Sequence, residues 1–198
     1  MSGAEHGFRF LSEQQVHEGQ VWRVVVADFQ APGGDAFRRD IVRSPGAVGV
    51  VPVVFDVEGN ASVVLVSQYR PPYEDVVLEI PAGMRDIEGE DVTGVARREL
   101  AEEAGLVAGD LLHLADIYPS PGLTDSVVAI FLATHCGETE TDRHGPEEEA
   151  MEIALYPLEE ALTMIDRGEI RDAKTVVGLL MAARRLDEVD HPHLDGAD

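Results

Sequence analysis

Gly83-Met84-Arg85-Asp86-Ile87-Glu88-Gly89-Glu90-Asp91-Val92-Thr93-Gly94-Val95-Ala96-Arg97-Arg98-Glu99-Leu100-Ala101-Glu102-Glu103-Ala104-Gly105-Leu106 is the stretch around which the rest of the chain is organised. From Asp91 to Ala104 it reads as a helix. Val92, Ala96 and Leu100 fall on one face, and Gly105 supplies the stop. Gly94 weakens that helix by about 1 kcal/mol relative to Ala, so the pattern holds without being ideal. Residues three and four apart are helix neighbours, so Glu99, Glu102 and Glu103 share a sector of roughly 100°. Three carboxylates side by side repel one another unless a cation sits among them, and oxygen ligands select hard cations such as Mg²⁺ or Mn²⁺. Arg98 lies beside Glu102, and Glu90 stands eight residues before Arg98. That spacing lets the loop carboxylate fold back and tether the arginine, a structural role rather than a chemical one. A bare Arg-Glu-x-x-Glu-Glu would read as a solvated acidic stripe; the glycines and apolar positions around it change that weighing.

Outward from this segment, the N-terminal side reads as β-structure. Val21 to Val26 is β-branched, Ala31-Pro32-Gly33-Gly34-Asp35 is a turn signal, and Phe37 to Val42 can return as a hairpin arm. Ala47 to Phe55 is mostly apolar and suits a strand buried on both faces. Val63 to Tyr69 and Val76 to Ile80 follow as strands, and Pro81 to Gly89 as a loop. On the C-terminal side, Leu111 to Tyr118 and Val127 to Thr134 read as strands, Gly137 to Glu149 as a polar acidic loop, and Met151 to Tyr156 as a last strand. Pro157 suits the first turn of a helix to Arg167. Asp172 caps a final helix whose Val176, Val177, Leu180 and Ala183 share an apolar face. The expected organisation is an N-terminal β-hairpin region over 1–45, a main domain over 46–186 and a frayed acidic tail over 187–198 that holds His191 and His193.

Composition bounds the partners. The 198 residues, 44% hydrophobic, are enough for one sizeable core. Acidic residues number 38 against 15 basic, a formal net charge of −23, and Lys174 is the one lysine. No polybasic surface can be built from that, so nucleic-acid polymers and anionic membranes are excluded as partners. The single Cys136 rules out an intrachain disulfide. Its place after the apolar run Val127 to Ala133 makes it a strand-end residue rather than a nucleophile. Met1 to Phe10 has no long apolar core behind a basic start, and no apolar stretch reaches the length of a membrane span. The expectation is a soluble, cytoplasmic protein.

Gly83 through Leu106 resembles the Nudix box of nucleoside diphosphate-linked hydrolases: Gly, five residues, Glu, seven residues, Arg-Glu-apolar-x-Glu-Glu-x-Gly-apolar. Glu90, Arg98, Glu99, Leu100, Glu102, Glu103, Gly105 and Leu106 match in order; six residues rather than five separate Gly83 from Glu90. An extra residue in a surface loop is cheap. Beyond the box, Pro45-Gly46-Ala47-Val48, Gln68-Tyr69-Arg70, Glu79-Ile80-Pro81-Ala82-Gly83, Pro121 and the pattern from Pro157 to Ile170 are similar to the ADP-ribose pyrophosphatase branch. The resemblance implies an α+β fold: a Nudix α/β/α sandwich with an N-terminal antiparallel β domain, usually exchanged across a homodimer.

The reaction it implies is metal-dependent hydrolysis of a pyrophosphate, for ADP-ribose giving AMP and ribose 5-phosphate. The alternatives are a different or broader nucleotide-sugar pyrophosphatase, of the GDP-mannose or UDP-glucose type, and a non-catalytic nucleotide-binding module. A non-catalytic relative is free to lose Glu99, Glu102 or Glu103, and this chain keeps all three. By the same resemblance Glu99, Glu102, Glu103 and the Ala82 carbonyl would hold Mg²⁺ or Mn²⁺. Gly83, Glu90, Arg98 and Gly105 would shape the motif. Arg70, Glu79, Met84 and Asp125 would contact substrate. Arg70 could instead pair with Glu74 or Asp75, and Glu79 either binds substrate hydroxyls or pairs with an arginine. Asp125 is a candidate because Ser126 stands where relatives commonly carry Glu. The general base would come from the loop ending in Glu147-Glu148-Glu149, with Glu148 favoured and Glu147 and Glu149 close behind.

Overall fold

The computed structural model describes residues 5–190, which fall into two compact units. The first holds the chain up to Gly46 together with Tyr118–Val127. Strands β1 (Arg9–Glu18), β2 (Arg23–Gln30) and β3 (Ala36–Arg43) form an antiparallel sheet in the order β1-β2-β3. The hairpin of β2 and β3 turns at the Pro-Gly-Gly-Asp cluster, where Gly34 takes a positive φ of 96°. Strand β1 precedes it and is exposed at every position, which is why no alternating apolar pattern announces it. Val25 and Ala27 are buried, and Phe29 stacks on Phe37 at 5.4 Å between ring centroids. The returning segment Tyr118–Val127 is held to this sheet by Val42, whose N–H donates to the Leu123 carbonyl and whose carbonyl accepts from Thr124 Oγ1.

The second unit begins with β4 (Ala47–Phe55) and β5 (Ala61–Arg70), then β6 (Asp75–Glu79) and β7 (Ala82–Met84). Helix α1 (Val92–Ala104) follows, then β8 (Leu106–Val107), β9 (Asp110–Ile117), β10 (Val128–Thr134) and β11 (Gly137–Glu138). Helix α2 (Pro146–Glu149), β12 (Glu152–Pro157), α3 (Leu158–Asp166) and α4 (Ala173–Asp190) complete it. The main sheet runs β12-β5-β4-β10-β9, with β6 added to β5 and β7 to β4. Only β4 and β10 are parallel. These two central strands bury both faces by alternation. Val51, Val53, Ile130 and Leu132 point to the side covered by α3 and α4, while Val48, Val50, Phe131 and Ala133 point to the side covered by α1. The result is a three-layer α/β/α sandwich.

Several local readings change. The acidic stretch Gly137 to Glu149 is not only loop: it contains β11 and the single-turn α2, opened by Pro146 at its first position. Pro157 ends β12 and caps α3 instead of sitting inside it. Helix α4 buries Thr175, Leu179 and Ala182, whereas Leu180 is 53% exposed. The reason is Gly178, where a Cβ would come within 2.9 Å of Val51 Cγ2, so the helix rests on the sheet along its glycine line. Residues 187–190 belong to α4 rather than to a tail; 191–198, with His191 and His193, lie outside the described residues.

Helix α1 is set by its ends and one side. Asp91 caps it, its carboxylate accepting from the Gly94 N–H at 2.6 Å, and Gly105 closes it with φ 64°. Val95, Ala96, Leu100 and Ala104 bury against the sheet. Leu100 is fully buried, so Leu100→Ala is expected to cost about 2–5 kcal/mol, read as a lowered denaturant midpoint with an unchanged m-value.

Candidate active site

The side of α1 toward β7 carries carboxylates instead of apolar groups. Glu99 is 8% exposed and Glu103 is 3% exposed, although each has only part of the compensation a buried charge requires. Glu103 Oε2 accepts from the Ala82 N–H at 2.8 Å. Glu99 lies on Gly83, where an added Cβ would sit 1.9 Å from its Cδ. Only glycine leaves room there for the carboxylate, so Gly83 and Ala82 form the wall against which α1 presents its acids.

One guanidinium serves most of the cluster. Arg98 Nε and Nη2 meet Glu90 at 3.1–3.2 Å, while its Nη1 reaches Glu99 Oε1 at 2.7 Å and Glu102 Oε2 at 3.0 Å. Burial works against the charge of Arg98, but Glu90, Glu99 and Glu102 outweigh it and raise its pKa. Arg98 does not satisfy the pair it borders. Burial pushes the Glu99 carboxyl up to about 7 against the pull of Arg98, and the charges of Glu102 and Glu148 push the same way. Burial pushes Glu103 up to about 8 despite the Ala82 N–H, with Glu99 and Glu148 adding to it. Two carboxyls pushed up in this way mark a site short of positive charge.

A divalent cation fits that shortage. The donors are hard oxygens, they are gathered on one helix face, and the backbone of Ala82 is already within reach of Glu103. Among the described residues, no three acidic or imidazole side chains converge tightly enough, as they stand, to close around an ion. Arg98 holds Glu99 and Glu102 toward itself instead.

A second charged network adjoins the first. Arg70 Nε and Nη2 donate to the two oxygens of Glu79, each at 2.6 Å. Glu79, only 2% exposed, also accepts from Lys174, which in turn meets Asp172 at 3.1 Å. Thr175 Oγ1 donates to Asp172 at 2.6 Å and accepts from the Ile80 N–H at 2.9 Å. Of the two options for Glu79, the arrangement contains the arginine pair, and the partner of Arg70 is Glu79 rather than Glu74 or Asp75. Burial alone would raise the Glu79 carboxyl, but Arg70 and Lys174 hold it below its ordinary value. The two networks feel each other, since the charge of Glu103 acts on Arg70.

Among the late glutamates, Glu148 is close enough for its charge to act on both Glu99 and Glu103, and its Oε2 accepts from the His144 N–H at 2.8 Å. Glu149 is exposed and Glu147 half-buried. Met84 pairs with Ala47 in the sheet and is half-buried. Asp125 belongs to the other unit, where its two oxygens accept from Arg43 Nη1 and the Ser44 N–H, both at 3.0 Å. Cys136 packs beside the core on the α1 side, and burial raises its thiol pKa, the opposite of what a nucleophile needs. Lys174 and Arg143 were not anticipated as site residues. The available signals were that Lys174 is the one lysine and that Arg143 is the one arginine in an acidic loop.

Residues 44–177 match the model of the NUDIX domain. The chain belongs to the Nudix family. It is 36% identical to the ADP-ribose pyrophosphatase of Bacillus subtilis (strain 168) over 169 residues, 85% of this chain and 89% of that protein. It is 34% identical to the ADP-ribose pyrophosphatase of Mycobacterium tuberculosis (strain ATCC 25618 / H37Rv) over 177 residues, 89% and 84% of the two chains. A crystal structure of an ADP compounds hydrolase superposes with a TM-score of 0.76 at 25% identity, covering 92% of this chain and 95% of that one. This Nudix chain is therefore a hydrolase of the pyrophosphatase kind, in a family that generally uses a divalent metal. Among the described residues, no helix is long and apolar enough to cross a membrane.

The raised carboxyls fix a pH dependence with a definite sign. Folding lifts Glu103 from 4.5 to about 8, so between those values the folded chain keeps a proton that the unfolded chain loses. Stability of the metal-free protein therefore falls as pH rises through that window. Thermal melts without metal are expected to show a steeper fall in Tm from pH 5 to 8 for wild type than for Glu103→Gln. Parallel curves would remove the burial penalty assigned to Glu103.

Proposed function

We propose that this Nudix hydrolase splits the pyrophosphate of ADP-ribose into AMP and ribose 5-phosphate. The observation that carries the reading is the buried, under-compensated pair Glu99 and Glu103 on α1, which needs a cation and faces the wall of Ala82 and Gly83. The names of the relatives from Bacillus subtilis and Mycobacterium tuberculosis support the choice of ADP-ribose.

Glu99 and Glu103 are the ligands for Mg²⁺ or Mn²⁺, with Glu102 and the Ala82 carbonyl completing the set. When bound, the cation neutralises phosphate oxygens and lowers the pKa of the attacking water. Glu90 and Arg98 hold the loop before α1 to the helix, so the acids arrive in fixed positions. Arg70 is oriented by Glu79 through Nε and Nη2, which leaves Nη1 to meet the substrate diphosphate; a planar, permanently charged fork suits that task. Glu148 takes the proton from water as general base, and its charge already acts on the two metal ligands.

The working unit is proposed to be a cytoplasmic homodimer. Its support is the N-terminal sheet, whose β1 is exposed throughout and which leaves Phe10, Leu11, Val16 and Trp22 open.

Purified protein with Mg²⁺ is expected to release AMP from ADP-ribose faster than from GDP-mannose, UDP-glucose or diadenosine polyphosphates. Glu103→Gln is expected to slow that release by about 10²-fold or more while the circular dichroism spectrum stays native. Equal rates across the panel would replace ADP-ribose with a broad nucleotide-sugar substrate class, and undiminished turnover in the variant would remove Glu103 from the metal.

A further inference from the structure

The last carbonyls of an α-helix have no partner inside the helix. At the end of α1 they are taken by a segment from about forty residues later. The Asp142 N–H donates to the Glu102 carbonyl at 3.2 Å, and the Thr139 N–H to the Gly105 carbonyl at 2.8 Å. Arg143 Nη2 donates to the Glu103 carbonyl at 3.1 Å, while Nη1 of the same guanidinium donates to the Met151 carbonyl at 2.6 Å. One side chain thus joins the end of the helix that carries Glu99, Glu102 and Glu103 to the residue just before β12. Between those anchors lies α2 with Glu148, whose carboxylate accepts from the N–H of His144, the neighbour of Arg143.

The chemistry of the contact is specific. A cation at a helix C-terminus is favoured by the helix dipole, and a planar fork holds two carbonyls on separate nitrogens in a fixed geometry, which a single ammonium nitrogen does not impose. Arg143 Nε is buried with no hydrogen-bond partner among the described residues. Leaving a buried donor unpaired has a cost, so this arginine is placed for its two Nη contacts and not for the best local satisfaction. Gly105 serves the same joint, since a Cβ there would lie 3.0 Å from the Thr139 carbonyl oxygen.

We infer that Arg143 is a positioning residue, a latch that sets the segment bearing Glu148 against the C-terminal end of α1. It acts through Glu148 and touches no reacting atom. The inference rests on the hydrolase reading given above, with Glu148 as the base.

The test is steady-state hydrolysis of ADP-ribose with Mg²⁺ by the full chain carrying Arg143→Gln, Arg143→Lys, Glu148→Gln, or Arg143→Gln with Glu148→Gln. Arg143→Gln is expected to lower kcat about 10–100-fold with KM within about threefold, as misplacement of a base by an ångström would. Arg143→Lys should recover part of the loss. The double variant should be no slower than Glu148→Gln alone, because a latch for a missing base has nothing left to position. Amide hydrogen exchange gives a second readout. Arg143→Gln should expose the Thr139 and Asp142 amides while those within α1 stay protected. Wild-type kcat in Arg143→Gln, or losses that multiply in the double variant, would overturn the latch; so would full turnover in Glu148→Gln. Should Arg143→Gln fail to fold, the lysine variant is read by the same criteria. A wild-type chain with no turnover of ADP-ribose would sink the substrate reading instead, and exchange at Thr139 and Asp142 would then decide the latch alone.

Discussion

The burial of Glu99 and Glu103 between α1 and β7 is the constraint on which the rest of this structure turns. A helix of this length could have packed a wholly apolar face on the sheet, as its Val95, Ala96, Leu100 and Ala104 side does. Two acids at its margin are instead pressed against a backbone wall that only glycine at position 83 permits. The energetic consequence is a folded state that holds carboxyls near neutrality instead of well below it. The surrounding elements can be understood as responses to that fact. Glu90 reaches back to orient Arg98, Ala82 donates its N–H, and the late loop donates to the C-terminal carbonyls of the same helix.

Glu79 is the counterexample within the same unit. Glu79 is as deeply buried as Glu103, yet it has Arg70 on both oxygens and Lys174 beside them, and its carboxyl is held below the ordinary range. Two buried glutamates in one unit are thus pushed in opposite directions by their surroundings. One is a finished ion pair and the other is left short of positive charge. The same comparison explains how a chain with a net charge of −23 can take a phosphate-bearing substrate. Its cations are few, but Arg98 is spent on Glu90, Glu99 and Glu102, and Arg70 and Lys174 on the neighbouring Glu79.

The helix and its acids were legible in the sequence because both depend on local spacing. A 3.6-residue period, a glycine stop and three glutamates on one sector do not need distant partners to be recognised. Strands β4 and β10 were equally plain as apolar runs. What stayed hidden was whatever has no period or is decided by a distant contact. Strand β1 alternates nothing because it buries nothing. Helix α2 is a single turn inside an acidic stretch. The buried line of α4 shifted from Leu180 to Leu179 because Gly178 lets the helix approach Val51 closely. The pairing of Glu79 with Arg70 and Lys174, and the span of Arg143 from Glu103 to Met151, join residues eight to ninety-five positions apart, which no spacing rule reveals.

Calorimetric titration of the nucleotide-free protein with Mg²⁺ at pH 7, in two buffers of different ionisation enthalpy, reads whether a cation displaces protons from the buried pair on α1. Binding is expected to be coupled to proton release, because a cation must displace the protons that burial favours on Glu99 and Glu103, and Glu103→Gln is expected to weaken the binding and release less. Mg²⁺ binding with no proton release, or binding that Glu103→Gln leaves unchanged, would contradict that expectation.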